Sequence, residues 1–229
     1  MLKRISLSEL LAEFIGSMFL VMASISSIIL FTVVLDSHIS VAILANAVAV
    51  ALVLCALIEM FGPISGAHFN PVVTMVMAIN KKIGAMKALF FVFIQILGGV
   101  AGTIASHLMF YNEMTGLLSV SDKARNEYIF FGEIFGTFIL VLAILVLVKA
   151  ESKRLPIIIG LLVGGQLMAT SSTMFANPQV TIARIFTDSV AGIRPVDALV
   201  FITMQIIGAL LAYAAYRFMF SRLPFTEKQ

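Results

Sequence analysis

Formal charges cut this chain into seven long runs that hold almost none. Phe14–Leu35, Leu155–Ala183 and Ala198–Tyr216 are uncharged, Ser37–Ile58, Met60–Asn80 and Ala88–Asn112 carry one histidine each, and Tyr128–Val148 carries only Glu133. A helix needs roughly 20 apolar residues to cross about 30 Å of hydrocarbon, so each run has the length of one crossing. Only 12% of the residues are charged and 61% are apolar. A soluble domain has about 25% charged residues, so this chain cannot wet the surface of a compact soluble globule. That excludes a soluble enzyme, a nucleic-acid binder and a disordered tail. The mean hydropathy of +1.08 agrees, and the pI of 9.1 reflects a net charge of only +3. Cys55 is the single cysteine, so no internal disulfide and no Cys-x-x-Cys metal site can form; it reads as a small buried apolar residue.

Two runs are interrupted. Gly62-Pro63-Ile64-Ser65-Gly66 breaks the stretch before Asn80, and Ser171-Ser172-Thr173 and Asn177-Pro178 break the run after Leu155. Broken backbone at membrane depth survives only when buried in protein or facing a wet cavity. The expectation is an all-α integral membrane protein with six transmembrane helices at 8–34, 40–60, 84–110, 128–149, 156–173 and 196–218. Two re-entrant half-helices lie at 70–79 and 177–187. The first apolar stretch exceeds the 7–15 residues of a signal-peptide core and is kept as a helix. With six crossings, both termini share a side with Lys81, Lys82, Lys87, Lys149, Lys153, Arg154 and Arg217. Lys3, Arg4, Arg222 and Lys228 raise that side to eleven basic residues, against Lys123, Arg125, Arg184 and Arg194 opposite. This asymmetry puts both termini in the cytoplasm.

Three short words occur twice in the same order. Glu13-Phe14-Ile15-Gly16-Ser17 matches Glu133-Ile134-Phe135-Gly136-Thr137. Asn70-Pro71-Val72-Val73-Thr74 matches Asn177-Pro178-Gln179-Val180-Thr181, and Gln95-Ile96-Leu97-Gly98 matches Gln205-Ile206-Ile207-Gly208. Each word alone is weak; three in register define two halves, 1–111 and 112–229. Three crossings per half is an odd number, so the halves insert with opposite orientation as an inverted repeat.

The two Asn-Pro words then enter from opposite faces. Proline suits the first helical turn and asparagine the cap before it. Two half-helices meeting end to end bring two positive dipole ends to mid-membrane. Converging positive ends repel cations, hydronium included, and leave the Asn70 and Asn177 amides free to donate to a neutral solute.

Ser65-Gly66-Ala67-His68-Phe69-Asn70-Pro71 resembles the first signature of the major intrinsic proteins, the aquaporin and aquaglyceroporin family. The resemblance runs from Glu13 to about Tyr216 and implies that family's six-helix, two-half-helix channel, commonly a tetramer with one pore per subunit. Its usual tripeptide is Asn-Pro-Ala, twice; here Val72 and Gln179 hold the third places, which puts the fit of the junction between the half-helices at issue. By the family's logic Glu13 and Glu133 brace the re-entrant loops by accepting hydrogen bonds; a proton relay is the rival role. His68 reads as a structural residue rather than a metal ligand, since no second ligand stands at a useful spacing.

The family's filter uses four positions, counted from the motifs as Val50, Gly165, Met174 and Val180. Water-selective members carry Phe, His, a small residue and Arg there, and glycerol facilitators keep the Arg. Val180 stands where that arginine is expected, so the resemblance implies a wide, apolar filter. Arg184, one turn beyond Val180, either guards the outer mouth or pairs with Asp188 at i+4. Glu59 is read as a solvated mouth residue, with gating as the alternative.

Arg-less, widened filters with altered Asn-Pro motifs resemble a bacterial branch linked to arsenic-resistance gene sets. The expected activity is passive passage of small uncharged solutes, with glycerol, arsenous acid and methylated arsenicals as candidates, across a bacterial inner membrane. A general water and glycerol facilitator is the alternative within the class, and an ion-coupled secondary transporter the alternative outside it. No enzyme chemistry, cofactor, metal or nucleic-acid partner is implied; the partners are the lipid bilayer, further copies in a homotetramer, and the solute.

Overall fold

The computed structural model describes residues 5–125 and 127–221. Lys3, Arg4, Arg222 and Lys228, used in the charge count, lie outside them. Eight α-helices follow in order: α1 Leu7–Ile29, α2 Ile39–Ser65, α3 Pro71–Ile79, α4 Ala85–Met109, α5 Phe130–Lys149, α6 Leu155–Ala169, α7 Pro178–Arg184 and α8 Pro195–Ser221. No strand occurs among the described residues. Five helices, α1 (with the π-helical turn Leu30–Val34), α2, α4, α5 and α8, are long and apolar enough to cross a membrane; α6 is a shorter apolar helix.

Helix starts and stops follow local chemistry. Ser6 and Glu9 form a reciprocal capping box at the start of α1, which satisfies two of its unpaired N–H groups. Asn70 and Asn177 cap α3 and α7 by accepting from the backbone N–H two residues on, ahead of Pro71 and Pro178. The expected break at Gly62-Pro63 is not where α2 ends. The helix runs through Pro63 and stops at Gly66, whose φ of +92° turns the chain left-handed. Three residues from the end, proline removes one intrahelical hydrogen bond; the left-handed glycine ends the helix. At the other break the disagreement is reversed, since α6 stops at Ala169 instead of 173. Thr170 is extended, and Thr173, Met174 and Ala176 have positive φ.

Small residues let the helices touch. Gly98 on α4 lies against the Phe14 carbonyl and Ser17 of α1, and Gly208 on α8 lies against the Ile134 carbonyl and Thr137 of α5. Gly164 on α6 rests on Ala47 and Ala51 of α2. In lipid such close backbone approach supplies the packing that water would otherwise drive. Glu9 and Lys87 add an ion pair of 2.6 Å between α1 and α4. Helices α4 and α8, paired with α1 and α5, pack against both α3 and α7, and one cavity reaches the starts of both short helices.

Candidate functional site

The centre of the molecule is a pair of crossed hydrogen bonds. Asn70 Nδ2 donates to the Ala176 carbonyl at 2.9 Å, and Asn177 Nδ2 donates to the Phe69 carbonyl at 2.8 Å. The same side chains accept from Val72 N at 3.0 Å and Gln179 N at 3.1 Å. So each asparagine caps its own half-helix and ties the opposite loop. An amide carries two N–H bonds, so the cross-link occupies one on each side and leaves one for a solute. This is half the donor capacity expected from the motifs alone. Phe69 and Ala176 reach these positions with φ of +47° and +46°, a left-handed conformation costing about 1–3 kcal/mol per residue.

Two buried carboxylates hold that conformation. Glu13 accepts from Ser65 Oγ at 2.6 Å, His68 N at 3.0 Å, Phe69 N at 2.8 Å and Gln95 Nε2 at 2.7 Å. Glu133 accepts from Phe175 N at 2.9 Å, Ala176 N at 2.8 Å and Gln205 Nε2 at 2.6 Å. Each glutamine donates onward, Gln95 to Thr74 Oγ1 and Gln205 to Thr181 Oγ1, both at 2.9 Å. A carboxylate fully removed from water needs this number of donors. The glutamines and threonines stand inside the repeated words, and their recurrence at matching places in both halves is the sequence signal for this role. His68 Nδ1 lies 3.0 Å from Thr74 Oγ1 and its ring meets Phe91 edge-on at 5.6 Å. Among the described residues no group of metal-ligating side chains forms.

The two altered third positions sit differently. Gln179 is fully buried and donates through Nε2 to the Phe69 carbonyl at 3.2 Å. Its Oε1 lies against Gly99 of α4, in the space a Cβ there would fill. Val72 packs in an apolar cluster with Val141, Leu145 and Ala209. Gly99 follows Gly98 as Ala209 follows Gly208, so the longer side chain meets the smaller partner.

The cavity leaves about 70 Å³ of space open to a water-sized molecule. Val50, Met174, Val180, Arg184, His68, Asn70 and Asn177 all line it. Gly165 does not. It is exposed, and a Cβ added there would meet nothing within 4 Å. The α6 wall is instead Ile159, Val163 and Leu167, spaced one turn apart. Counting back from Asn177 crosses the irregular segment 170–176, and a two-residue slip rotates a helix by about 200°. Glu59 is also exposed and off the cavity, whereas its neighbour Ile58 lines it; a step of about 100° carries the carboxylate to the outer side of α2.

Arg184 does not pair with Asp188. The helix α7 ends at Arg184, so the i+4 geometry has no helix to supply it, and Asp188 takes the Thr115 hydroxyl instead. The Arg184 guanidinium lies 4.1 Å from the Phe175 ring centre. Arg125, in the segment before α5, lies 5.5 Å from the same ring. Burial lowers the Arg125 pKa, opposed by the Glu133 and Asp197 carboxylates. The half-buried Arg194, whose side chain reaches solvent, is raised by its hydrogen bond to Asp197.

A model of the family described as "Major intrinsic protein" matches residues 2–175. The chain belongs to that family. Major intrinsic proteins are membrane channels and not enzymes, so this is a multi-pass membrane channel for small solutes. The chain is 35% identical over 209 residues to aquaglyceroporin AqpS of Rhizobium meliloti, covering 91% of this chain and 88% of that one. It is 30% identical over 220 residues to aquaporin-4 of Notomys alexis, covering 91% of this chain and 65% of that one. The X-ray structure of the aquaglyceroporin from Plasmodium falciparum has the same fold, with a TM-score of 0.69 at 21% identity and coverage of 91% and 94%.

Proposed function

We propose that the protein is a passive channel for uncharged polyols and hydroxides, with glycerol, arsenous acid and methylated arsenicals as its solutes, and that its filter is too wide and apolar to select strictly for water. The observation that carries this reading is the wall beyond the paired asparagines. Val50, Met174, Val180 and Leu167 face the cavity there, with Phe175 and Arg184 also on its lining; the filter positions Val50, Met174 and Val180 themselves carry neither an aromatic ring nor a guanidinium. Removing both widens the opening and takes away donors that would favour water. Discrimination against charge rests on the two positive helix ends meeting at Asn70 and Asn177.

The same reading makes the halves 1–111 and 112–229 an inverted repeat, the assembly a homotetramer and the location a bacterial inner membrane with cytoplasmic termini. The balance of basic residues supports that orientation. The test is Val180→Arg in proteoliposomes at matched protein content. Glycerol and arsenous acid entry should fall more than water entry. Equal loss of all three, or no loss, contradicts the filter assignment.

A further inference from the structure

Arg184 is 4% exposed and donates to no carboxylate among the described residues: its Nε finds no hydrogen-bond partner there. A buried cation without a hydrogen-bonded counter-ion is costly. Glu133, the carboxylate in electrostatic reach, has both oxygens taken by Phe175 N, Ala176 N and Gln205. Asp197 accepts from Arg194 at 2.9 and 3.0 Å and from Arg125 N at 2.7 Å. Arg125 brings a second guanidinium; its Nη2 donates to the Gly192 carbonyl at 2.9 Å, while its Nε is likewise unpartnered among the described residues. Both arginines line one pocket of about 120 Å³ with Asn46, Thr173, Leu167 and Val190. Like charges sharing an apolar pocket repel, and the Phe175 ring compensates only partly.

We propose that this mouth, at the C-terminal end of α7, binds a small monovalent anion of halide or nitrate size between Arg184 and Arg125. The anion supplies the charge the protein leaves out and an acceptor for the free N–H groups. It is held there and not conducted, because the next wall inward is Val180, Met174 and Val50, which offer nothing to replace its hydration.

The test is the ³⁵Cl NMR line width of chloride titrated into the full chain in detergent. The expected result is saturable excess broadening that nitrate displaces. Arg184→Gln and Arg125→Gln should each weaken chloride about tenfold or more, the loss of one charge-assisted hydrogen bond. Arg194→Gln, on a half-buried arginine of the same side that does not line the pocket, should bind as the parent does. If Arg184→Gln loses its helical circular dichroism, Arg125→Gln, altered in a half-buried loop, decides alone. Broadening that does not saturate, or that survives in Arg125→Gln, overturns the proposal. The measurement needs no transport and so stands apart from the channel reading.

Discussion

The Gln179–Gly99 contact makes the sharpest quantitative test of the packing around the half-helices. In Gly99→Ala the new Cβ overlaps Gln179 Oε1 and lies 3.2 Å from the Gln179 carbonyl oxygen and 3.3 Å from Ala183 Cβ. The backbone neighbours can give a few tenths of an ångström; the amide must turn. Turning it breaks the 3.2 Å bond from Nε2 to the Phe69 carbonyl, a net loss of about 0.5–1.5 kcal/mol. Overpacking of a full core adds to that, for a total of about 1–3 kcal/mol. Gln179→Ala removes the obstructing amide, so Gly99→Ala made on that background should cost little. The double variant should therefore be about 1–2 kcal/mol more stable than the sum of the single effects, within the range seen for residues in contact. The assay is denaturant-induced unfolding of the four proteins in one mixed micelle, followed by circular dichroism. Effects that add to within about 0.5 kcal/mol would refute the contact.

Three further outcomes follow from the placement of individual residues. Gly165→Leu should leave glycerol flux in proteoliposomes unchanged, because the position is exposed, while Leu167→Ala should raise it by enlarging the α6 wall; the reverse pattern would restore the position counted from the motif. Glu133→Gln replaces an acceptor of two backbone N–H groups by a partial donor and should destabilise the protein by about 1–3 kcal/mol, with flux lost in proportion to folded protein; solute uptake that becomes proton-dependent or loses proton dependence would instead mark a relay. Val180→Arg should cut glycerol more than water, as measured by light scattering.

The spans were legible because hydrocarbon tolerates neither charge nor open backbone, so Asp, Glu, Lys and Arg mark nearly every helix end. The two Asn-Pro words were legible for a similar reason: cap and proline are local, and α3 and α7 begin where they stand. What depended on rotation about a helix was not. Gly165 and Glu59 are each one or two residues from the wall, at Leu167 and Ile58, and one residue turns a helix by about 100°. Of the two readings of Arg184, the pair with Asp188 does not form because α7 closes after seven residues, shorter than the span 177–187. Length errors at the other breaks have the same origin: Pro63 near a helix end is tolerated, while Thr170 leaves the helix early with no proline or glycine to announce it. The fit of Gln179 was invisible for a different reason. Its space is made by Gly99, 80 residues earlier in the chain, and only the packed structure brings the two together.

Two positive helix ends meeting at Asn70 and Asn177 should pass neutral molecules and refuse charged ones. Sealed vesicles carrying the protein, loaded with a pH-sensitive dye and a proton gradient, test it in one stopped-flow mixing with glycerol or arsenous acid. The expected result is swelling faster than in protein-free vesicles, unchanged by ionophore, with the dye signal holding at the rate of the bare bilayer. Collapse of the gradient on the timescale of swelling, or uptake that stops when the gradient is removed, would contradict it.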